Sequence, residues 1–284
     1  MSASSEPHAS PVKKLIAKLA VVAAAALAVA AAAALGTASA SASTHNWIMT
    51  GWAIHLEHRS DPAIANHFFN TPSSYGLGTS SGSSPILDNF RTSAVLAYTS
   101  YAQFESDVAN HAISPSYKWV LYDPEMWSRT PVEEQKNPEQ YMRLFGKLAH
   151  AHGLNVIEAP ARDLGLVPDS ACPQQPKENL DAWYTRCDIA GIAATYSDVL
   201  VVQDQVDTTD LSAYDALYTH ARTQALAANP QVAVDSELST NYGTADQMAA
   251  AAKSVDAEGF YLSVTSSSLS QADQFLQKMQ GAGY

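Results

Sequence analysis

Short apolar runs and longer stretches of helical periodicity take turns along most of this chain. The best-marked unit lies at residues 118–163, KWVLYDPEMWSRTPVEEQKNPEQYMRLFGKLAHAHGLNVIEAPARD. Residues 118–122 read as a buried strand, and Pro124, which cannot donate to a sheet ladder, must end it. Asp123 and Glu125 are thereby left at the strand's carboxyl end. Thr130-Pro131-Val132-Glu133 supplies an N-cap, a first-turn proline and an acid at capping-box spacing. Asn137-Pro138-Glu139-Gln140 repeats the signal ahead of a helix whose stripe is Tyr141, Leu144, Phe145 and Leu148. Gly153 suits a helix C′ position, and residues 154–157 form the next strand, followed by Glu158. Two apolar strands joined through a helix predict a parallel βαβ unit.

The remaining segments continue the alternation. Residues 46–54 predict a first strand, with Gly51 as a bulge or a close backbone approach. Asp61-Pro62 starts a short helix through Phe68, and residues 70–89, rich in Ser, Gly and Pro, read as a long loop. Further strands are predicted at 93–99, 198–202, 231–234 and 259–264. Helices are predicted after Ser100, over 178–196, after Asp210, after Thr244 and over 270–279. Seven strands alternating with helices predict an α/β fold with a parallel sheet. Polar residues close one strand after another, from Asp123, Glu125 and Glu158 to Gln203–Gln205, Asp235, Glu237 and Ser263. Such a ring favours a (β/α)8 barrel of the TIM type, in which active sites sit at the carboxyl ends of the strands. Because that barrel needs eight strands, residues 46–92 hide one, or the barrel is incomplete, or the sheet is open. No Gly-rich first turn follows any strand, so no nucleotide cofactor is expected.

The N-terminus adds a compartment. Lys13, Lys14 and Lys18 flank the start of an Ala-rich apolar run over residues 15–35, and Ala38-Ser39-Ala40 offers small residues at cleavage spacing. This predicts a signal peptide over residues 1–40, cleaved near Ala40, and a secreted single domain over 41–284. The run is also long enough to serve as an uncleaved anchor. Cleavage removes three lysines and Glu6, moving the net charge from −12 to −14. That acidity argues against nucleic acid and anionic membrane surfaces as partners. Cys172 and Cys187 are the only cysteines. In an exported chain an even count predicts a disulfide, worth roughly 3 kcal/mol. No CxxC or Cys/His pattern supports a zinc site.

Candidate chemistry rests on the acids. Side chains alternate along a strand, so Asp123 and Glu125 share a face, as do Asp235 and Glu237. Burial and like charge at a common mouth would raise at least one of their pKa values, producing a proton donor for neutral pH. Glycosidases need two such carboxylates. The expected assignment is Glu125 as acid, Asp123 as its partner, and Glu237 or Asp204 as the second carboxylate. Trp52, Tyr98, Trp119, Tyr122, Trp127 and Tyr261 lie near strand ends and offer flat faces to sugar rings; Glu158, Gln203, Gln205 and Asp235 offer hydrogen bonds. Each has a plainer reading as well. Asp204 and Asp235 fit as helix caps or loop-amide acceptors, the aromatics as packing, and Glu133 and Glu134 as solvated helix-start acids. His45, His55 and His58 read as surface residues, because no carboxylate pattern completes a metal site around them. No GxSxG elbow or Ser/His/Asp order points to an esterase or protease.

With YDPEMW at a strand end, the exported chain resembles the chitinase-like branch of glycoside-hydrolase TIM barrels. Those end a strand in acids spaced by one residue, the last being a glutamate proton donor. Asp123 and Glu125 match that final D-x-E, whereas Val120 and Leu121 stand where the motif has its earlier acid, and its preceding Gly is missing. The resemblance implies Glu125 as acid and Asp123 as its partner. The longer pattern YDPE-x-W-x-x-TP-x-x-EQ, with Ala159-Pro160 and VVQDQ downstream, is similar to secreted bacterial barrel proteins and implies no activity. Three functions are therefore expected, in this order: a hydrolase of extracellular polysaccharide or cell-wall glycan, a non-catalytic carbohydrate-binding barrel, and a metal-dependent phosphodiesterase using the early histidines and Glu57.

Overall fold

Eight parallel strands pair in chain order, and the last closes onto the first. They are β1 (Asn46–Thr50), β2 (Ser74–Gly78), β3 (Ser93–Tyr98), β4 (Trp119–Tyr122), β5 (Asn155–Glu158), β6 (Val199–Val202), β7 (Ala233–Ser239) and β8 (Gly259–Ser263). This computed structural model describes residues 44–79 and 89–284; the signal-peptide expectation for residues 1–40, and residues 80–88 of the expected loop, lie outside them. Helices follow the strands: α1 (Gly51–Ser60), α2 (Pro62–Phe69), α3 (Tyr101–Ala109), α4 (Val132–Lys136), α5 (Pro138–Ala151), α6 (Leu180–Arg186), α7 (Ile189–Tyr196), α8 (Leu211–Ala228), α9 (Ala245–Ser254) and α10 (Leu269–Gly281). The architecture is a (β/α)8 TIM barrel.

Alternation along the strands builds two apolar layers. Ile48, Tyr75, Leu77, Val95, Leu121, Ile157, Val199 and Val201 fill the barrel interior. Residues of opposite parity, such as Trp47, Val120, Tyr122, Val156 and Phe260, meet the helices outside. In that outer layer the ring of Phe145 stacks on Tyr122 at 4.7 Å. Gly146, next to it on α5, lies so close to α7 that a Cβ would sit 2.4 Å from the Tyr196 carbonyl oxygen.

The eighth strand is β2, SYGLG, inside the segment read as loop. Two glycines and a serine conceal it, yet Tyr75 and Leu77 point inward and register with β1 and β3. The first strand, expected to run to Ile54, stops at Thr50, and Gly51 opens α1 instead of a bulge. A continuous apolar run is compatible with either state. Here Gly51, Ala53, Ile54 and Glu57 form a buried helical face. The helix expected over 178–196 breaks at Asp188, which adopts left-handed φ 53°, beside Cys187, which is disulfide-bonded to Cys172. The strand expected to close at Val234 continues to Ser239, so Asp235 and Glu237 lie within it.

Capping is partly as expected. Asp61, Ser100, Asp210 and Thr244 accept the amides of the helices they start. Thr130 and Asn137 do not, because their side chains turn to other partners. Glu134 also departs from its expected solvated position: it is buried and accepts from Ser100 Oγ, the amides of Tyr101 and Ala102, and Tyr122 Oη.

Candidate active site

At the carboxyl ends of the strands lies a cavity of about 1040 Å³. Asp123, Glu125, Gln203, Glu237 and Tyr261 line it, with Trp52 and Trp127 toward its rim. Their convergence follows from parity. Leu121, Val201, Ala233 and Tyr261 belong to the barrel interior, so Asp123, Gln203 and Glu237, at even spacing from them, face inward too.

The β4 end is held from several sides. The Asp123 amide donates to the Tyr98 carbonyl at 2.9 Å, extending the ladder past the strand. Gln203 Nε2 donates to Asp123 Oδ1 at 2.9 Å and to the Ala159 carbonyl at 2.8 Å, tying β4, β5 and β6 together. Beyond Pro124 the loop folds around Thr130, whose hydroxyl oxygen accepts from Trp127 Nε1 at 2.8 Å and from the Glu125 amide at 3.3 Å. Gln135 Nε2 clamps the carbonyls of Trp127 and Thr130, and the Arg129 guanidinium lies 3.5 Å over the Trp127 ring. Asp163 accepts the Met126 amide at 3.0 Å. Thr130→Val should therefore loosen Trp127 and weaken ligand binding about tenfold, the worth of one buried hydrogen bond. Indole fluorescence of the ligand-free variant is the direct check, and an unchanged spectrum would remove Thr130 from the site's support.

Glu237 faces this pair from β7. Asp204 does not join it in the cavity. It is fully buried behind β7, accepting from Ser236 Oγ at 3.0 Å and from the Glu237 amide at 3.0 Å. Its place is to fix the strand that carries Glu237. Burial pushes the Glu237 carboxyl well above the usual range, with Asp123, Glu125 and Asp204 adding to the effect. Burial and then Glu125 raise Asp123, while Arg129 and Gln203 oppose the shift. Glu125 is pushed up to about 7 by burial and by Asp163, against Arg129 and Gln203. The mutual influence of Asp123, Glu125 and Glu237 places these acids in one electrostatic cluster.

Other residues expected at the mouth are elsewhere. Tyr98 packs outside the barrel against Phe104 and donates to Asp107 Oδ2 at 3.0 Å. Tyr122 is buried against Phe145, and Trp119 packs edge-on against Tyr75 inside the barrel. Glu158 points outward into the strand–helix layer, where neither carboxyl oxygen has a hydrogen-bond partner among the described residues. Gln205 starts a 3-10 turn outside the cavity lining. Asp235 lies deeper in the barrel, accepting from Asn46 Nδ2 at 3.2 Å, and burial raises it to about 7. The early histidines do not converge: His45 packs on Tyr284, His58 on Phe90, and only His55 of the three lines the cavity. Glu57 is buried toward Asp273, which adds to the burial that lifts it to about 8.

These buried acids set a pH dependence of stability. Asp235 and Glu57 keep their protons in the folded chain up to about 7 and 8, where the unfolded chain has lost them. The folded state then binds more protons, so stability falls as pH rises from the ordinary carboxyl range through those values. The slope is up to about 1.4 kcal/mol per pH unit for each group. Thermal melts across this range should show Tm highest at the acidic end; a rising or level Tm would contradict the burial of these groups.

Arg59, Thr99 and Arg129, none of them singled out from the sequence, also line the cavity, as does His55, expected only as a surface residue or a metal ligand. Arg59 is hidden because residues 51–54 read as strand, which conceals the start of α1 and with it the helical face. Arg129 sits in the same loop as Trp127 and could have been noticed there.

The fold and site define a TIM barrel with an acid-lined mouth. Among solved structures, hydroxymethylglutaryl-CoA lyase from Pseudomonas aeruginosa is similar over 64% of this chain and 56% of its own, with 12% identity and a TM-score of 0.41. Ttha1563 from Thermus thermophilus is similar over 69% and 48%, with 11% identity and a TM-score of 0.30. The chain thus spans about half the length of these structures. No protein-family model matches the chain, and no curated protein matches it.

Proposed function

We propose that this barrel is a secreted glycoside hydrolase acting on extracellular polysaccharide or cell-wall glycan. The observation that carries the reading is the meeting of Glu125 from the β4 end and Glu237 from β7 in one cavity rimmed by Trp52 and Trp127. The Cys172–Cys187 disulfide suits an oxidising compartment. The charged n-region and apolar run of residues 1–40 suit export.

Glycosidic cleavage needs one carboxyl group that gives a proton to the leaving oxygen and a second that attacks the anomeric carbon or activates water. Glu125, titrating at about 7, exchanges its proton in the neutral range and takes the donor role. Glu237 takes the second role. Burial is the main cause of its raised proton affinity, and protonation of Asp123 and Glu125 removes the repulsion that adds to it, which favours the charged form. Asp123, held by Gln203, keeps the β4 end in place and adjusts the proton affinity of both.

The test is release of reducing ends from a panel of plant, fungal and bacterial-wall glycans by the chain lacking residues 1–40, with the anomer of the first product followed by NMR. Cleavage of at least one glycan is expected. Binding without product would instead make this a carbohydrate-binding barrel.

A further inference from the structure

Helix α1 carries two stripes. Ala53, Ile54 and Glu57 are buried against the barrel, while Trp52, His55, Leu56 and Arg59 line the cavity. The second set follows the i, i+3, i+4, i+7 spacing of one helical face. Trp52, 42% exposed, stands at the end of this face beside β1, and Arg59 at its far end. Seven residues of helix rise about 10 Å, a span of roughly two pyranose rings. The face is thus a graded wall: an aromatic plane at the β1 end, an imidazole along it, and a guanidinium at the far end.

Arg59 is one of four arginines that make no ion pair among the described residues, the others being Arg91, Arg129 and Arg143. The net charge is −12, and Arg162, Arg186 and Arg222 each pair with carboxylates. Arg59 opens into the cavity. Arg129 reaches the same cavity from the β4 loop, stacked on Trp127. Guanidinium groups recognise carboxylate and sulfate oxygens through paired N–H donors.

Resting on the hydrolase reading of the same cavity, we propose that α1 is an extended subsite selecting acidic saccharides, with a ring on Trp52 and an anionic group, carboxylate or sulfate, on Arg59. The selection is made outside the acid cluster, so it acts on binding and is separable from cleavage.

The experiment measures binding to the Glu125→Gln variant by calorimetry, using each acidic chain beside a counterpart that lacks one class of anionic group. The pairs are oligogalacturonate and its methyl ester, glucuronoxylan and xylan, and chondroitin sulfate and chondroitin. The first two report a carboxylate, the third a sulfate. In at least one pair the more acidic chain should bind about tenfold more tightly, the value of one charge-assisted hydrogen-bond pair, with the margin shrinking in salt. Adding Arg59→Gln should bring that ratio close to one, whereas adding Arg91→Gln, at the opposite end of the barrel, should leave it unchanged. Equal binding within every pair, no binding of any acidic chain, or a ratio indifferent to Arg59→Gln would overturn the proposal. Acidic chains held through Arg59 but never cleaved by the unsubstituted protein would sink the hydrolase reading and leave this one standing. Neutral glycan cleavage with no acidic preference would do the reverse.

Discussion

Glu125→Gln should lower glycan hydrolysis by about 10²–10⁴-fold, the range for loss of a positioned general acid. Glutamine keeps the shape and hydrogen-bonding capacity of the side chain but has no proton to give. Binding and thermal stability should therefore survive while turnover does not. Glu237→Gln should fall comparably, and the double variant should lose little more than either alone, because the two groups act as a unit. In a retaining enzyme azide separates the roles by the anomer of the glycosyl azide formed: direct attack in place of a missing nucleophile inverts the configuration, whereas attack on the glycosyl-enzyme in place of base-activated water retains it. An inverted azide from the Glu237 variant and a retained one from the Glu125 variant fit the assignment made here. Full activity in both variants would end the hydrolase reading, since every pair of acids from separate strands that lines this cavity among the described residues includes Glu237.

The second large effect concerns stability. Glu134→Ala should destabilise the fold by about 3–5 kcal/mol, since each buried donor left without an acceptor costs about 1–3 kcal/mol. Four donors converge on this carboxylate: Ser100 Oγ at 3.0 Å, the Tyr101 amide at 2.7 Å, the Ala102 amide at 3.1 Å and Tyr122 Oη at 2.8 Å. Two are first-turn amides of α3 with no intrahelical acceptor, so Glu134, carried by α4, completes the start of another helix. The alanine variant strands all four donors in a dry layer. Urea unfolding measures the loss, and Glu134→Gln should recover part of it, since its amide oxygen still accepts. A midpoint unchanged by Glu134→Ala would mean that water reaches these donors.

Glu134 also shows where reading the chain stops. In the sequence it is one of two adjacent acids at a helix start, and nothing local separates it from Glu133, whose carboxylate meets only Asn137 at the surface. What distinguishes them is the arrival of α3 from about 30 residues upstream, a packing event. The same holds for the acids at the strand ends. Asp123 and Glu125 were legible as a pair because Pro124 stops β4 and even spacing puts both on one face. Asp204 and Glu237 looked equivalent, yet one backs β7 and the other enters the cavity, a choice made by strand parity and register. The barrel itself was legible from the alternation of elements, whereas β2 was concealed because SYGLG gains its strand conformation from pairing with β1 and β3. Glycine-rich segments have little preference of their own.

What the amino-acid sequence determines alone is local: the alternation of strands and helices apart from β2 and the start of α1, the stop at Pro124, the caps at Asp61, Ser100, Asp210 and Thr244, and two carboxylates sharing the β4 face. Those features follow from periodicity and from side chains bonding to their own backbone, which act over a few residues. Tertiary structure alone decided that Glu237 meets Glu125, that Asp204, Glu158 and Asp235 stay out of the cavity, and that α1 turns Trp52, His55 and Arg59 toward it. Closing the ring of strands fixes those placements, because only then does each inward position acquire a neighbour from across the barrel.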